Sequence, residues 1–366
     1  MPLDSNRSVL PHLDLIPVNH STWHTNIADF DEVSRYQLAN YETAKGPGRI
    51  VEPVLFSRAG EIVGGALMVI RPMPFLGKLA STHWGPILRR RDTDAPTVRA
   101  AMIDALAKEY GDRRRMMVTV WTPPVCDGDP DDQGLALERG FRSSRSWPDP
   151  YVHVLDLAQT EAQMRQNLAG KWRHHLKKAE QSGLTFEVAG ADGLPEMDRL
   201  YAEMLARKGF DDRSAYHTLE AMMKTEEQSL RPRLFFVRQG ETAVVGAVVL
   251  TAGTQAHYLY GATADAALPV NAGHFMQWSV AMWLKANTRA QWYNLGATDG
   301  VEGLRIFKSG FTGKSAKPVF VPTSIDYAAR PVVAFAGRTM FKLRDALRDR
   351  AVLGKSANNP ATPKPA

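Results

Sequence analysis

The feature that most limits how this chain can fold is an internal repeat with a period of roughly 175 residues. Arg58-Ala59-Gly60-Glu61, followed by Gly65-Ala66, returns as Arg238-Gln239-Gly240-Glu241, followed by Gly246-Ala247. In each copy a strand turns at Gly-Glu and comes back as a long apolar run, 62–70 or 242–250, which marks an antiparallel hairpin. Trp84-Gly85-Pro86 then aligns with Tyr260-Gly261-Ala262, the helical stretch 97–110 with 275–286, and the strand 115–121 with 291–295. Both copies close on a short helical piece ending in Gly-Phe, 134–141 and 303–311. Strand, helix, strand is a βαβ unit, so each copy is a hairpin feeding such a unit. The same order of elements twice over predicts an α/β chain of two similar domains, 1–150 and 151–325. A chain of 366 residues is long for one core, which agrees with that division.

Outside the repeat the signals are local. Residues 1–25 are polar and read as an irregular lead-in, and 29–42 reads as the first helix, with Val33, Tyr36, Leu38 and Tyr41 apolar. Thr160 and Gln163 fit a capping box. The helix behind it has Met164, Leu168, Trp172 and Leu176 at steps of four, one apolar stripe, and Gly183 as its stop. Its other faces carry Lys171, Arg173, His174, His175, Lys177 and Lys178 with no carboxylate among them. Such a face repels itself and attracts phosphates; the alternative is a solvated surface. A second helix, 195–209, follows. Residues 326–366 form the third segment: a basic amphipathic helix over 331–353 and a Pro/Ala/Asn-rich tail. That helix suits either packing on the domain or an anionic membrane surface.

Composition removes several classes. No run of about 18 apolar residues is present, so no membrane span is expected. The first twenty residues lack an apolar h-region, so a cytoplasmic protein is expected. Cys126 is the only cysteine, and no histidine or cysteine spacing suggests a metal. A net charge of +6 permits a polyanionic partner without requiring one.

Three motifs carry a resemblance: Tyr258-x-Tyr260-Gly261-Ala262; the helix with Gln277-Trp278; and Gly303-Leu304-x-x-Phe307-Lys308-x-Gly310-Phe311. A fourth is Leu168-x-x-Lys171-x-Arg173-x-x-x-Lys177-Lys178-Ala179-x-x-x-Gly183. Together they resemble the Fem family, over roughly residues 50–320. Those enzymes move an amino acid from aminoacyl-tRNA to the peptide of a peptidoglycan precursor. The hairpin-plus-βαβ unit resembles the acyltransferase fold of the GNAT superfamily, and the family joins two such domains in tandem, with mixed sheets flanked by helices.

The resemblance implies roles for particular residues. Lys308 becomes the cation beside the tRNA 3′ end or the developing oxyanion, and Phe307 a ring that stacks on the terminal adenine. Lys171, Arg173, Lys177 and Lys178 become contacts to tRNA. Arg213 and Tyr216 become contacts to the sugar or phosphate part of a nucleotide- or lipid-linked precursor; Arg207, Tyr258 and Tyr260 are further substrate contacts. Aminoacyl-tRNA is then a co-substrate, and no resident cofactor is implied. A general base is not identified: Asp299 stands at a strand mouth but also before a glycine, where aspartate serves turns. Three alternatives remain. An acyl-CoA-dependent N-acyltransferase keeps the fold, against which stands the missing Arg/Gln-x-x-Gly-x-Gly/Ala turn. A Fem-like enzyme acting on a small molecule or peptide natural product, and a binding module with decayed sites, are the others.

Overall fold

A computed structural model describes residues 10–73, 77–126, 133–145, 150–208, 214–313, 316, 318–330 and 339. Arg213, the acidic loop 127–132 and, apart from residue 339, the helix expected over 331–353 lie outside them. Among the described residues no helix is long and apolar enough to cross a membrane.

Both hairpins form as the repeat predicts. Ile50–Arg58 pairs antiparallel with Glu61–Met73, and Arg233–Gln239 with Thr242–Leu250. The first turns on Ala59 and Gly60, both with positive φ (52° and 87°), which suits the right-handed twist of the strands it joins. Each hairpin then feeds a βαβ unit. Gly77–His83 runs parallel to Met117–Trp121 across the helix Ala95–Leu106, and Gln255–Thr263 runs parallel to Trp292–Asn294 across Ala272–Asn287. The result is two mixed sheets flanked by helices, α/β as expected.

The structure departs from the sequence reading in several places. Residues 1–25 are not all irregular: Asp14–Pro17 is an edge strand on Ile50–Arg58, and His20–Ile27 is a helix capped by Asn19. The helix expected over 29–42 is instead a loop, a short turn Arg35–Gln37 and a helix Ala39–Ala44. The loop's acids are taken by distant arginines: Asp29 by Arg90 at 2.7 Å and Glu32 by the buried Arg99 at 2.6 Å. Those partners compete with helix. The apolar stripe of 164–176 also spans two helices, Glu161–Asn167 behind the predicted capping box and Gly170–Glu180. The chain breaks at Leu168 and Ala169, where the Ala169 N–H donates to the Gly310 carbonyl at 3.0 Å; all four stripe residues stay buried in one cluster.

Two corrections concern how the copies relate. By strand pairing the counterpart of His83 is His257, each the last residue paired with its parallel partner, so the Trp84–Tyr260 alignment is two residues out. The expected division at 325 also misses a return strand. Ile325–Tyr327 lies antiparallel to Met117–Trp121 and to Arg142–Ser143, so the far end of the chain completes the first sheet. Alternating residues in a three-residue strand carry too little pattern to reveal this.

The two units share one core. Trp23, Phe30, Val33, Leu38 and Tyr41 of the first are buried in the same cluster as Met197, Leu200, Leu234, Val248 and Tyr260 of the second. Polar contacts reinforce the junction: Arg289 reaches Asp31 at 3.0 Å, and the Thr254 N–H donates to the Asp31 carbonyl at 2.8 Å. Gly253 permits that approach, since a Cβ there would stand 2.5 Å from the Asp31 oxygen. The shared core predicts that the protein unfolds in one transition. Phe30→Ala should cost about 3–5 kcal/mol, lowering that single transition in urea; two separated transitions in the wild type would contradict a common core.

Candidate active site

A cavity of about 560 Å³ lies between the units, and its two walls differ in chemistry. The first unit contributes Arg35, Tyr36, Tyr41, Lys45, His83 and Trp84. The second contributes Tyr258 and Leu259, the loop 294–299 and Lys308.

The first wall is a layer of cations among aromatic rings. The Arg35 guanidinium sits 5.2 Å from the Tyr36 ring centre, 5.6 Å from Tyr41 and 5.9 Å from Tyr260. Burial works against its charge, but the surrounding tyrosine oxygens outweigh it and hold its pKa above the ordinary arginine range. Lys45 lies 4.7 Å from the Tyr41 ring centre and shares the buried carboxylate of Glu42 with Arg49, at 2.9 and 3.0 Å. Two cations on one carboxylate leave an excess of positive charge. Beside them His83 stacks on Trp121 at 4.3 Å and on Tyr36 at 5.7 Å. Burial first, then Lys45, Arg71, Arg145 and Arg49, push its pKa well below the usual range. Its Nδ1 is buried without a hydrogen-bond partner among the described residues.

One buried side chain positions this wall. Gln37 donates to the carbonyls of His83 (2.6 Å) and Trp84 (3.1 Å), and accepts from the Leu67 N–H at 3.1 Å. Its own backbone carbonyl takes the Trp23 indole N–H at 2.8 Å.

The second wall is shaped by a β-bulge. Val248 pairs with Tyr260 but Val249 with Tyr258, so Leu259 is left unopposed and faces the cavity. The bulge also separates the two tyrosines, which plain alternation would put on one face. Tyr260 joins the shared core, while Tyr258 packs beside the second unit's own cluster. Burial pushes the Tyr258 phenol up to about 12. Its oxygen lies over Gly261, where a Cβ would come within 1.5 Å, so the glycine of this motif makes room for the tyrosine. Lys308, on the helix Glu302–Thr312, points back under the loop and donates to the Ala297 carbonyl. The loop is bent by residues in the left-handed region: Gly296 (φ 76°), Asp299 (φ 51°) and Gly300 (φ 74°).

Of the residues singled out in the sequence, Lys308, Tyr258 and Asp299 line the cavity. Tyr260, Tyr216 and Arg207 do not, because their polar groups are engaged elsewhere. Tyr260 donates to the Ala215 carbonyl at 3.0 Å; Tyr216 stacks on Tyr201 at 3.7 Å and donates to Asp198 at 2.8 Å. Arg207 ties its helix to Asp265 (2.6 Å) and to the Thr263 carbonyl (2.7 Å). Phe307 is half-buried between Trp172 and His274, at 5.9 and 5.0 Å. On Gly170–Glu180, Lys171, Lys177 and Lys178 are exposed and Arg173 half-buried. None of the four has a carboxylate partner among the described residues, and the helix's one acid, Glu180, is held by Arg165 at 2.8 Å.

Sequence reasoning missed Arg35, Lys45 and His83. The signal was present as Arg35-Tyr36, Tyr41 and Lys45, cations interleaved with tyrosines, but a helix over 29–42 would have spread them around its faces.

The acetyltransferase (GNAT) domain family matches residues 162–306, so the chain carries an acyltransferase domain. A search of curated proteins finds no match. Among solved structures, FemX superposes with a TM-score of 0.69 at 17% identity, covering 86% of this chain and 97% of that one. The C-terminal domain of a putative lysylphosphatidylglycerol synthetase from Agrobacterium fabrum gives 0.56 at 14%, covering 87% and 95%. A conserved protein of unknown function from Bacteroides thetaiotaomicron gives 0.56 at 11%, covering 86% and 99%.

Burial sets a pH dependence. It lowers His257 to about 3, and it lowers His24 and His274 to about 4, with neighbouring histidines adding to the shift in the last two. The ordinary value is about 6.5, so on acidification the unfolded chain takes up these protons first. Their contribution is complete above pH about 6.5 and is lost as pH falls toward 4, at about 1.4 kcal/mol per pH unit for each histidine. The urea midpoint should therefore drop over that range, and His257→Gln should flatten the slope; an unchanged slope would show that His257 is not buried as a neutral ring. Residues 162–306 thus match the acetyltransferase (GNAT) domain family by sequence, within a chain that has the fold of FemX.

Proposed function

We propose that the protein transfers an amino acid from aminoacyl-tRNA to the amine of a peptidoglycan-precursor peptide. The observation that carries this reading is the cavity between unlike walls, one rich in cations and aromatic rings, the other presenting Lys308. The Fem resemblance of the sequence and the fold of FemX support it. So does the second relative, named as a putative lysylphosphatidylglycerol synthetase.

The ester of aminoacyl-tRNA is already activated, so the protein's part is positioning and charge stabilisation. The neutral acceptor amine attacks the ester carbonyl, an oxyanion develops, and the C–O bond to the tRNA ribose breaks, the ribose oxygen gaining the proton that the attacking nitrogen loses. Lys308, held by the Ala297 carbonyl at the cavity wall, is the cation for that oxyanion. The exposed lysines of Gly170–Glu180 lack protein counter-charges among the described residues and suit the phosphates of the donor. Arg35 and Lys45 suit the diphosphate of a nucleotide- or lipid-linked precursor. Aminoacyl-tRNA is the co-substrate and no resident cofactor is needed. The reaction is assigned to the cytoplasm, with a peripheral contact at the inner face of the membrane through 331–353.

The test is transfer of radiolabel from a pool of charged total tRNA to nucleotide-linked and lipid-linked muropeptide. Wild type should label the muropeptide, and Lys308→Ala should lower kcat about a hundredfold. Replacing Lys171, Lys177 and Lys178 together by alanine should weaken tRNA binding and reduce its log–log salt slope by roughly 0.7–0.9 for each phosphate no longer neutralised. Consumption of acetyl-CoA without tRNA-dependent label would replace this reading by the acyl-CoA one.

A further inference from the structure

The ionisable groups on the cavity wall are unevenly matched. Arg35, Lys45 and Lys308 line it, and among the described residues Asp299 is the one carboxylate that does. Asp299 is exposed and has no ion pair or hydrogen bond to a described residue. Its placement is specific. The Val301 N–H donates to the Thr298 carbonyl at 2.9 Å, closing a turn whose two central residues, Asp299 and Gly300, both have positive φ. A non-glycine residue in that region is uncommon, and Asp is among the few that tolerate it. The turn sits two residues after Ala297, whose carbonyl holds the Lys308 ammonium. Asp299 therefore lies two residues along the same loop from the carbonyl that holds the Lys308 ammonium, and both side chains line one cavity.

We infer that Asp299 is the binding site for a primary ammonium, the α-ammonium of the aminoacyl group on the donor. The inference rests on the transferase reading above. An aminoacyl ester carries its ammonium on the carbon next to the reacting carbonyl. A site for it therefore needs an anion close to the cation that meets the oxyanion, the arrangement Lys308 and Asp299 provide. The acceptor amine is the less suited occupant, since it attacks as the neutral base and a carboxylate partner favours its charged form; as a general base for that amine Asp299 would act equally on every donor, an outcome the experiment below separates. Holding the donor amine protonated serves the reaction, because a positive α-substituent withdraws electrons from the ester carbonyl. It also makes Asp299 a specificity residue that selects aminoacyl esters over acyl groups without an amine.

The experiment compares two donors with the full-length protein and nucleotide-linked muropeptide. One is charged total tRNA; the other is the same pool deaminated with nitrous acid, which replaces the α-ammonium by a hydroxyl of similar size. Wild type should prefer the amine-bearing donor by about tenfold or more in kcat/KM, as for a charge-assisted contact. Asp299→Asn should lower kcat/KM for the amine-bearing donor, mostly through KM, and shrink the ratio between donors toward one. Asp299→Glu should restore part of the ratio, which a merely structural role would not do. An unchanged ratio in Asp299→Asn, or an equal loss with both donors, would overturn the assignment while leaving the transferase reading intact. No transfer from either donor by wild type would remove both.

Discussion

The arrangement depends on one apolar interface, the core that the two units hold in common. Trp23, Phe30, Val33, Leu38 and Tyr41 of the first unit are buried together with Met197, Leu200, Val248 and Tyr260 of the second. Burial of large aromatic and aliphatic side chains is the dominant favourable contribution to folding, and here it is also what holds two sheets at a fixed separation. The cavity follows from that separation. Gln37 sits in the same segment, and its amide fixes the loop of His83 and Trp84 that forms one wall. Packing and site geometry are therefore set by the same short segment.

Electrostatics give the cavity its direction. On the first wall a guanidinium lies among three tyrosines and two further cations divide one carboxylate. Aromatic faces offset part of the cost of taking an arginine out of water, without neutralising it. Anions are drawn to that side. On the opposite wall Lys308 and Asp299 come from one loop and one helix, which suits a reacting carbonyl flanked by an ammonium. The basic helix Gly170–Glu180 extends the positive surface of the second unit. Charges so placed favour the approach of anionic groups.

Local and periodic signals in the chain were legible. The hairpins at Gly60 and Gly240, the βαβ order after each, the capping box at Thr160 and Gln163, and the apolar stripe from Met164 to Leu176 all occur in the structure. Each rests on residues close together in the chain. The failures share a cause of the opposite kind. The stretch 29–42 has helical spacing, yet Asp29 and Glu32 are drawn away by Arg90 and Arg99, about sixty residues on. Tyr258 and Tyr260 alternate, yet an unopposed Leu259 turns them to different faces. Arg207 and Tyr216, singled out by the resemblance, pair in the structure with Asp265 and Asp198, which no local pattern records.

Repeat, βαβ order and the cationic helix are therefore properties of this chain's own letters, because hairpins, turns and periodic faces are decided by neighbours within a few residues. The cavity, its two unlike walls and the return of Ile325–Tyr327 to the first sheet were decided only by tertiary structure. Arg35 and Lys308 lie far apart in the chain, and only the folding of both sheets onto one core places them around a common space. No periodicity records such a meeting, because its energy is the burial of residues from both units at once.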